Sequence, residues 1–270
     1  MTMSLSFLLY IGFGLFVLIL LVWGFRSFSP QASFGVKSFV EPNRSRGRLS
    51  QAQTLSDSQK RLLTFCLLPS YIRHEPLLSN KLGALSAEEV RALLQKDYEI
   101  DSRDATVAQL DYLLSGVRST ALDNDIVAQS PRVEAARTSI AEALMLSHGC
   151  LEAIDSTYAW DLGEAAEVSK LGFASGYLTE QEFHNYLEQI SDAAQRFGRD
   201  WYEYTLSYLL GRTMEGHDIL SIKDEAFTLF HLPKDSCALA PGLNAYTRYR
   251  FTINKDCTGM SIQKPCGGCQ

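Results

Sequence analysis

The sequence predicts an all-α protein: a multi-helix cytoplasmic domain, one N-terminal transmembrane helix and a mostly non-helical C-terminal tail. Three observations predict it. An uncharged apolar run fills Ser4 to Phe25, helix-capping patterns recur from residue 55 onward, and no proline falls between Pro131 and Pro233. The last of these permits long uninterrupted helices.

The apolar run, "SLSFLLYIGFGLFVLILLVWGF", matches the roughly 20 residues that a helix needs to span a bilayer core. Tyr10 and Trp23 can sit at the two interfaces. A cleaved secretory signal would carry a basic residue before its apolar segment, and none is present. After the run come Arg26, Lys37, Arg44, Arg46 and Arg48. Basic charge stays on the cytoplasmic side, so the expected orientation is single-pass, with the N-terminus outside and the main domain cytoplasmic. Residues 1–25 are thus the anchor, 26–54 a basic Ser/Gly/Pro-rich linker, 55–230 the helical domain and 231–270 a cysteine-bearing tail.

Within the helical domain, starts and stops are marked locally. Ser56 with Gln59, Ser86 with Glu89 and Thr179 with Glu182 have capping-box spacing. Ser130 followed by Pro131 is an N-cap followed by proline at the first helical position. Asp200 with Glu203 is an acidic variant of the same device. Gly149 and Gly176 are expected to end the helices before them. The short "GYLT" link from Gly176 should fold its two helices into an antiparallel pair. In the tail, "AYTRYRFTIN" alternates as a short strand would.

A net charge of −6 argues against nucleic acid as a partner, because phosphate recognition needs a basic surface. The five histidines form no metal-binding pair, and no nucleophile elbow, phosphate loop or dinucleotide fingerprint is present. Asp161, Glu164 and Glu167 recur every three residues on one helix. Such neighbours can share a proton or bind a metal, which makes them the candidate catalytic residues. The plainer expectation is a solvated acidic edge, with Glu167 and Lys170 as an ordinary ion pair. Asp161 is the exception, because it lies between Trp160 and Leu162. A buried Asp161–Arg212 pair is expected to fix the register of two helices. Cys237, Cys257, Cys266 and Cys269 crowd the tail, the last two as Cys-Gly-Gly-Cys. They are candidate zinc ligands; disulfide formation and free thiols are the alternatives.

"AWDLGEAAEVSKLGFASGYLTEQEF" (Ala159–Phe183), followed by "WYEYTLSYLLGR", is similar to the signature of a bacterial family catalogued as domain of unknown function twelve-sixty-six. The resemblance is strong over 158–213 and looser over 85–157. It implies a helical domain in bacteria, which would make the anchor's membrane a bacterial inner membrane, and no particular activity. Anchor, helices and the lack of catalytic motifs together suggest a membrane-anchored, non-enzymatic interaction or regulatory module with a protein partner. The alternative is an enzyme or zinc-binding protein that uses the acidic row or the tail cysteines.

Overall fold

The computed structural model describes residues 55–226, except 74, 84 and 225, together with 245–251. The expected anchor (1–25), the linker (26–54) and the tail cysteines lie outside these residues. Among the described residues every regular element is helical, and no helix is long and apolar enough to cross a membrane.

Eleven helical segments follow in order among the described residues. They are α1 (Asp57–Leu63), continued through a tight turn of Thr64–Cys66 into α2 (Leu67–Ile72), then α3 (Ala87–Tyr98), α4 (Arg103–Leu114), α5 (Val117–Val127), α6 (Pro131–Leu144), α7 (His148–Glu152), α8 (Tyr158–Ser175), α9 (Glu180–Phe197), α10 (Trp201–Met214) and the single turn α11 (Ala245–Arg248). The capping boxes at Ser56, Ser86 and Thr179 are all formed, with side chain and backbone bonded reciprocally. Ser130 caps α6 ahead of Pro131, and Asp200 accepts from the Glu203 N–H at the start of α10. These side chains satisfy donors that a helix start leaves open, which is why the boundaries fall there.

Helix α8 is the axis of the domain. Fourteen of its 18 residues are buried, and α3, α4, α9 and α10 all pack against it. Such a helix has no polar face to offer water, so its sequence is apolar or small nearly all round. At its end Gly176 takes φ 81°, and the Leu178 N–H reaches back to the Gly172 carbonyl at 2.9 Å. The chain then folds back as α9, stacking Phe173 on Phe183 at 5.2 Å between ring centres.

Helices α8 and α10 interlock through two glycines. A Cβ on Gly163 of α8 would lie 2.5 Å from Tyr208 Cε2 of α10. In return, a Cβ on Gly211 of α10 would lie 2.7 Å from Trp160 Cβ of α8. Gly163 thus leaves room for the Tyr208 ring and Gly211 for Trp160 Cβ and Thr157, and Trp160 meets Tyr208 edge-on at 5.1 Å.

Two local expectations are corrected. Helix α6 stops before Gly149: Met145 itself adopts the left-handed cap at φ 54° and donates to the Ala141 carbonyl, while Gly149 falls inside α7. The alternating stretch after Asn244 begins as a helical turn, not a strand. Ala245 and Tyr249, one turn apart, both pack on Leu67, a spacing that a strand would put at the wrong pitch.

Candidate functional site

The charged residues of α8, Asp161, Glu164, Glu167 and Lys170, follow one another at steps of three, each beside the next, in a row that winds halfway round the helix. The expected solvated edge is not what forms. Asp161 and Lys170 are 0% and 2% exposed, and Glu167 is also buried. Helices pack around α8 on every side, so these positions are covered like the others. A charge taken out of water must be matched in place, and each member of the row meets an opposite charge from another element.

Asp161 and Glu164 are met by Arg118 from the first turn of α5. Arg118 Nε lies 2.5 Å from Asp161 Oδ1, and Nη1 lies 2.7 Å from Glu164 Oε2. The Ser119 backbone N–H donates to the second Asp161 oxygen at 3.0 Å. A left-handed Gly116, φ 69°, starts α5 and turns its first turn toward α8. Arg118 also sits 3.6 Å from Glu215, just beyond α10, and its guanidinium lies 5.3 Å from the centre of the Trp160 ring. The Trp160 indole N–H closes the cluster by donating to Glu215 at 3.0 Å. Three helical elements are tied through one guanidinium.

Electrostatics follow this geometry. Burial works against the Arg118 charge, yet Glu164, Asp161 and Glu215 outweigh it and hold the guanidinium above its ordinary value. Burial pushes the Asp161 carboxyl up, and Arg118 and Ser119 offset part of that rise. Glu164 is raised for the same reason, again with Arg118 opposing.

Further along the row, Glu167 is bonded to Arg73, at the end of α2, which also reaches Asp97 of α3 at 3.1 Å. Lys170 turns away from Glu167. Its ammonium contacts Glu75 at 2.9 Å, Ser70 Oγ at 2.9 Å and the Pro76 carbonyl at 3.3 Å. The expected Glu167–Lys170 ion pair is replaced by two pairs to other elements, since buried charges need close and fully bonded partners.

The expected Asp161–Arg212 pair is likewise replaced. Arg212 donates to the Asp218 carbonyl at 2.8 Å and to Ser221 Oγ at 2.9 Å, bracing the turn after α10. Sequence reasoning placed a basic partner for Asp161 correctly in kind and missed its identity. The available signal was a basic residue just after the helix-breaking Gly116.

Chemically, the row is closed. Both Asp161 oxygens are bonded within the protein, and the side chain has no exposed surface. Among the described residues, no group of three or more His, Cys, Asp and Glu side chains is placed to hold a metal ion. Cys66 is buried against the Ala166 carbonyl, and burial pushes its thiol up to about 12, which makes it inert. Cys150, on α7, lies 3.1 Å from Ser147 Oγ. The candidate zinc ligands Cys237, Cys257, Cys266 and Cys269 lie outside the described residues.

Fold and site together define an all-α domain built round a buried helix whose charges serve as interhelical braces. The chain belongs to the family described as Protein of unknown function (DUF1266), whose family model matches residues 93–228. No curated protein and no solved structure matches the chain.

Proposed function

We infer that the protein is a membrane-tethered, non-enzymatic interaction module whose helical domain binds a protein partner. One observation carries this reading: the residues with the strongest look of chemistry, Asp161, Glu164 and Glu167, are all engaged by Arg118 and Arg73 inside the domain. A general acid or base must reach its substrate, and Asp161, with no exposed surface, cannot. The apolar run Ser4–Phe25 supplies the tether, and the basic linker after it supports a cytoplasmic domain in a bacterial inner membrane. Maleimide labelling of intact and lysed cells tests that orientation.

Cross-linking in membranes, followed by affinity capture of the full chain in detergent, tests the interaction reading. A protein recovered in stoichiometric amount is the expected result, with recovery unchanged in Glu164→Gln. Turnover of a small molecule by the purified chain, lost in a folded Glu164→Gln variant, would overturn it.

A further inference from the structure

Arg137, on α6, keeps only 7% of its surface exposed. Its guanidinium reaches the link 153–157 between α7 and α8, where Nη2 donates to the Ile154 carbonyl at 3.3 Å. Among the described residues that long contact is its one hydrogen bond, and Nε is buried with no partner at all. No carboxylate of the described residues forms an ion pair with it, although Arg132, five residues earlier on the same helix, pairs with Asp125.

The other buried charges are matched. Asp161, Glu167 and the Lys170–Glu75 pair each meet an opposite charge. Arg212 makes two short bonds, at 2.8 and 2.9 Å. The link that Arg137 touches is already held without it. Asp123 accepts from the Thr157 N–H at 2.7 Å and from the Ser156 and Thr157 hydroxyls at 2.8 Å each, so both of its oxygens are taken. Ser207 Oγ donates to the Ser156 carbonyl at 2.8 Å.

A buried charge needs a counter-charge in place. A lysine could shed its proton instead, but an arginine side chain keeps its own throughout the physiological range. Water at Nε would complete the hydrogen bond and leave the charge unmatched; an anion does both. The Nε–Nη2 edge of a guanidinium is the fork that fits a carboxylate, and its N–H groups converge equally well on a single halide. With so little of the side chain exposed, the way in admits a small ion. We propose that Arg137 is the core of an anion-binding site between α6 and the 153–157 link, and that its ligand is a small monoanion, a carboxylate or a halide. The site uses no member of the charged row on α8, so it stands or falls separately from the interaction reading.

The test reads the melting temperature of the full chain in detergent micelles. Sodium chloride, and in a second series sodium acetate, replaces sodium gluconate at fixed ionic strength, so that screening stays constant. An anion that binds only the folded chain raises the melting temperature by about 3–6 °C at ten times its dissociation constant. One or both salts should give such a rise in the wild type and none in Arg137→Met. The larger rise tells carboxylate from halide. In gluconate alone Arg137→Met should melt at or above the wild type, because an apolar side chain removes an unmatched charge. No rise in the wild type with either salt, or an equal rise in the variant, overturns the site and leaves Arg137 as a brace for Ile154. Should Arg137→Met fail to fold, Arg137→Lys takes its place: it keeps a charge and loses the fork, so the rise should shrink, and an undiminished rise overturns the proposal.

Discussion

Arg118 Nε lies 2.5 Å from Asp161 Oδ1, joining α5 to the central helix across 43 positions of sequence. Asp161 has no exposed surface, while Arg118 keeps 19% of its side chain exposed. The pair therefore spans from the core to the rim of the domain. Removing the arginine strands a carboxylate that water cannot reach.

Arg118→Met should consequently destabilise the domain by about 3–5 kcal/mol, the scale for breaking one side of a buried pair. Against a typical stability of about 5–15 kcal/mol, that change is readily seen in urea melts. Asp161→Asn in the same background should return part of the loss. A double-mutant cycle should give a coupling above about 1 kcal/mol for Arg118 with Asp161, and additivity within about 0.5 kcal/mol for Arg212 with Asp161. Strong coupling to Arg212 would contradict the observed pairing.

The inner end of the row makes a second prediction. Lys170 and Glu75 are 2% and 7% exposed along their side chains, with 2.9 Å between charges. Lys170→Met alone, or Glu75→Gln alone, should cost several kcal/mol, because each leaves a buried group without its partner. The double variant Lys170→Met/Glu75→Leu should be distinctly more stable than Lys170→Met, since an apolar pair of similar volume avoids the desolvation of both charges. Thermal melts of the three proteins decide it. A double variant no better than the single ones would show that Ser70 and Pro76, still facing the site, dominate its energetics.

These two pairs mark where sequence reading stops. Ser56, Ser86, Ser130, Thr179 and Gly176 act on backbone groups within a few residues, so their roles were legible from spacing alone. The all-α class followed from the same local signals. Partners for Asp161 and Lys170 depend on how α2 and α5 lie across α8, which no local rule specifies. A clue was nevertheless present: Ala159, Leu162, Gly163, Ala165, Ala166, Val168, Leu171 and Gly172 cover the faces around the charged row. A helix with apolar or small residues on all sides is enclosed, and its charges must then be enclosed too. Met145 as a left-handed cap, and the turn at Ala245, escaped because tertiary packing overrode the weak preferences of those residues.

Acid titration gives a third prediction, with its sign fixed by Glu182. The Thr179 backbone N–H donates to this carboxylate at 2.8 Å, the Thr179 hydroxyl does the same, and Arg103 bonds its other oxygen. Those contacts lower its pKa from 4.5 to about 2. A depressed folded value means that the unfolded chain binds the proton more readily. The stabilisation is therefore complete above 4.5 and is lost as pH falls toward 2. Melting temperatures of wild type and Glu182→Gln should differ at neutral pH and converge through that window. Asp161 and Glu164 act with the opposite sign: burial raises both, so each favours folding less as pH climbs above the ordinary carboxylate range. A gap between wild type and Glu182→Gln that widens on acidification would show that the capping box is not the group titrating.

The reciprocal notch between α8 and α10 supports the last prediction. A methyl group added at Gly163 would fall 2.5 Å from Tyr208 Cε2 and 2.7 Å from its Cδ2. Tyr208 is 1% exposed and is held edge-on by Trp160, so the ring has nowhere to move. Intrinsic propensity alone would make alanine better than glycine inside a helix, by up to about 1 kcal/mol. Overpacking works against that gain at about 1–3 kcal/mol, and here it should win. Gly163→Ala should thus lower stability, reversing the usual sign for this substitution in a helix. Tyr208→Leu, which removes the obstructing edge, should lose packing alone but make Gly163→Ala nearly neutral in its background. A cycle in which Gly163→Ala costs the same with Tyr208 or Leu at position 208 would show that the helices are not separated by this contact.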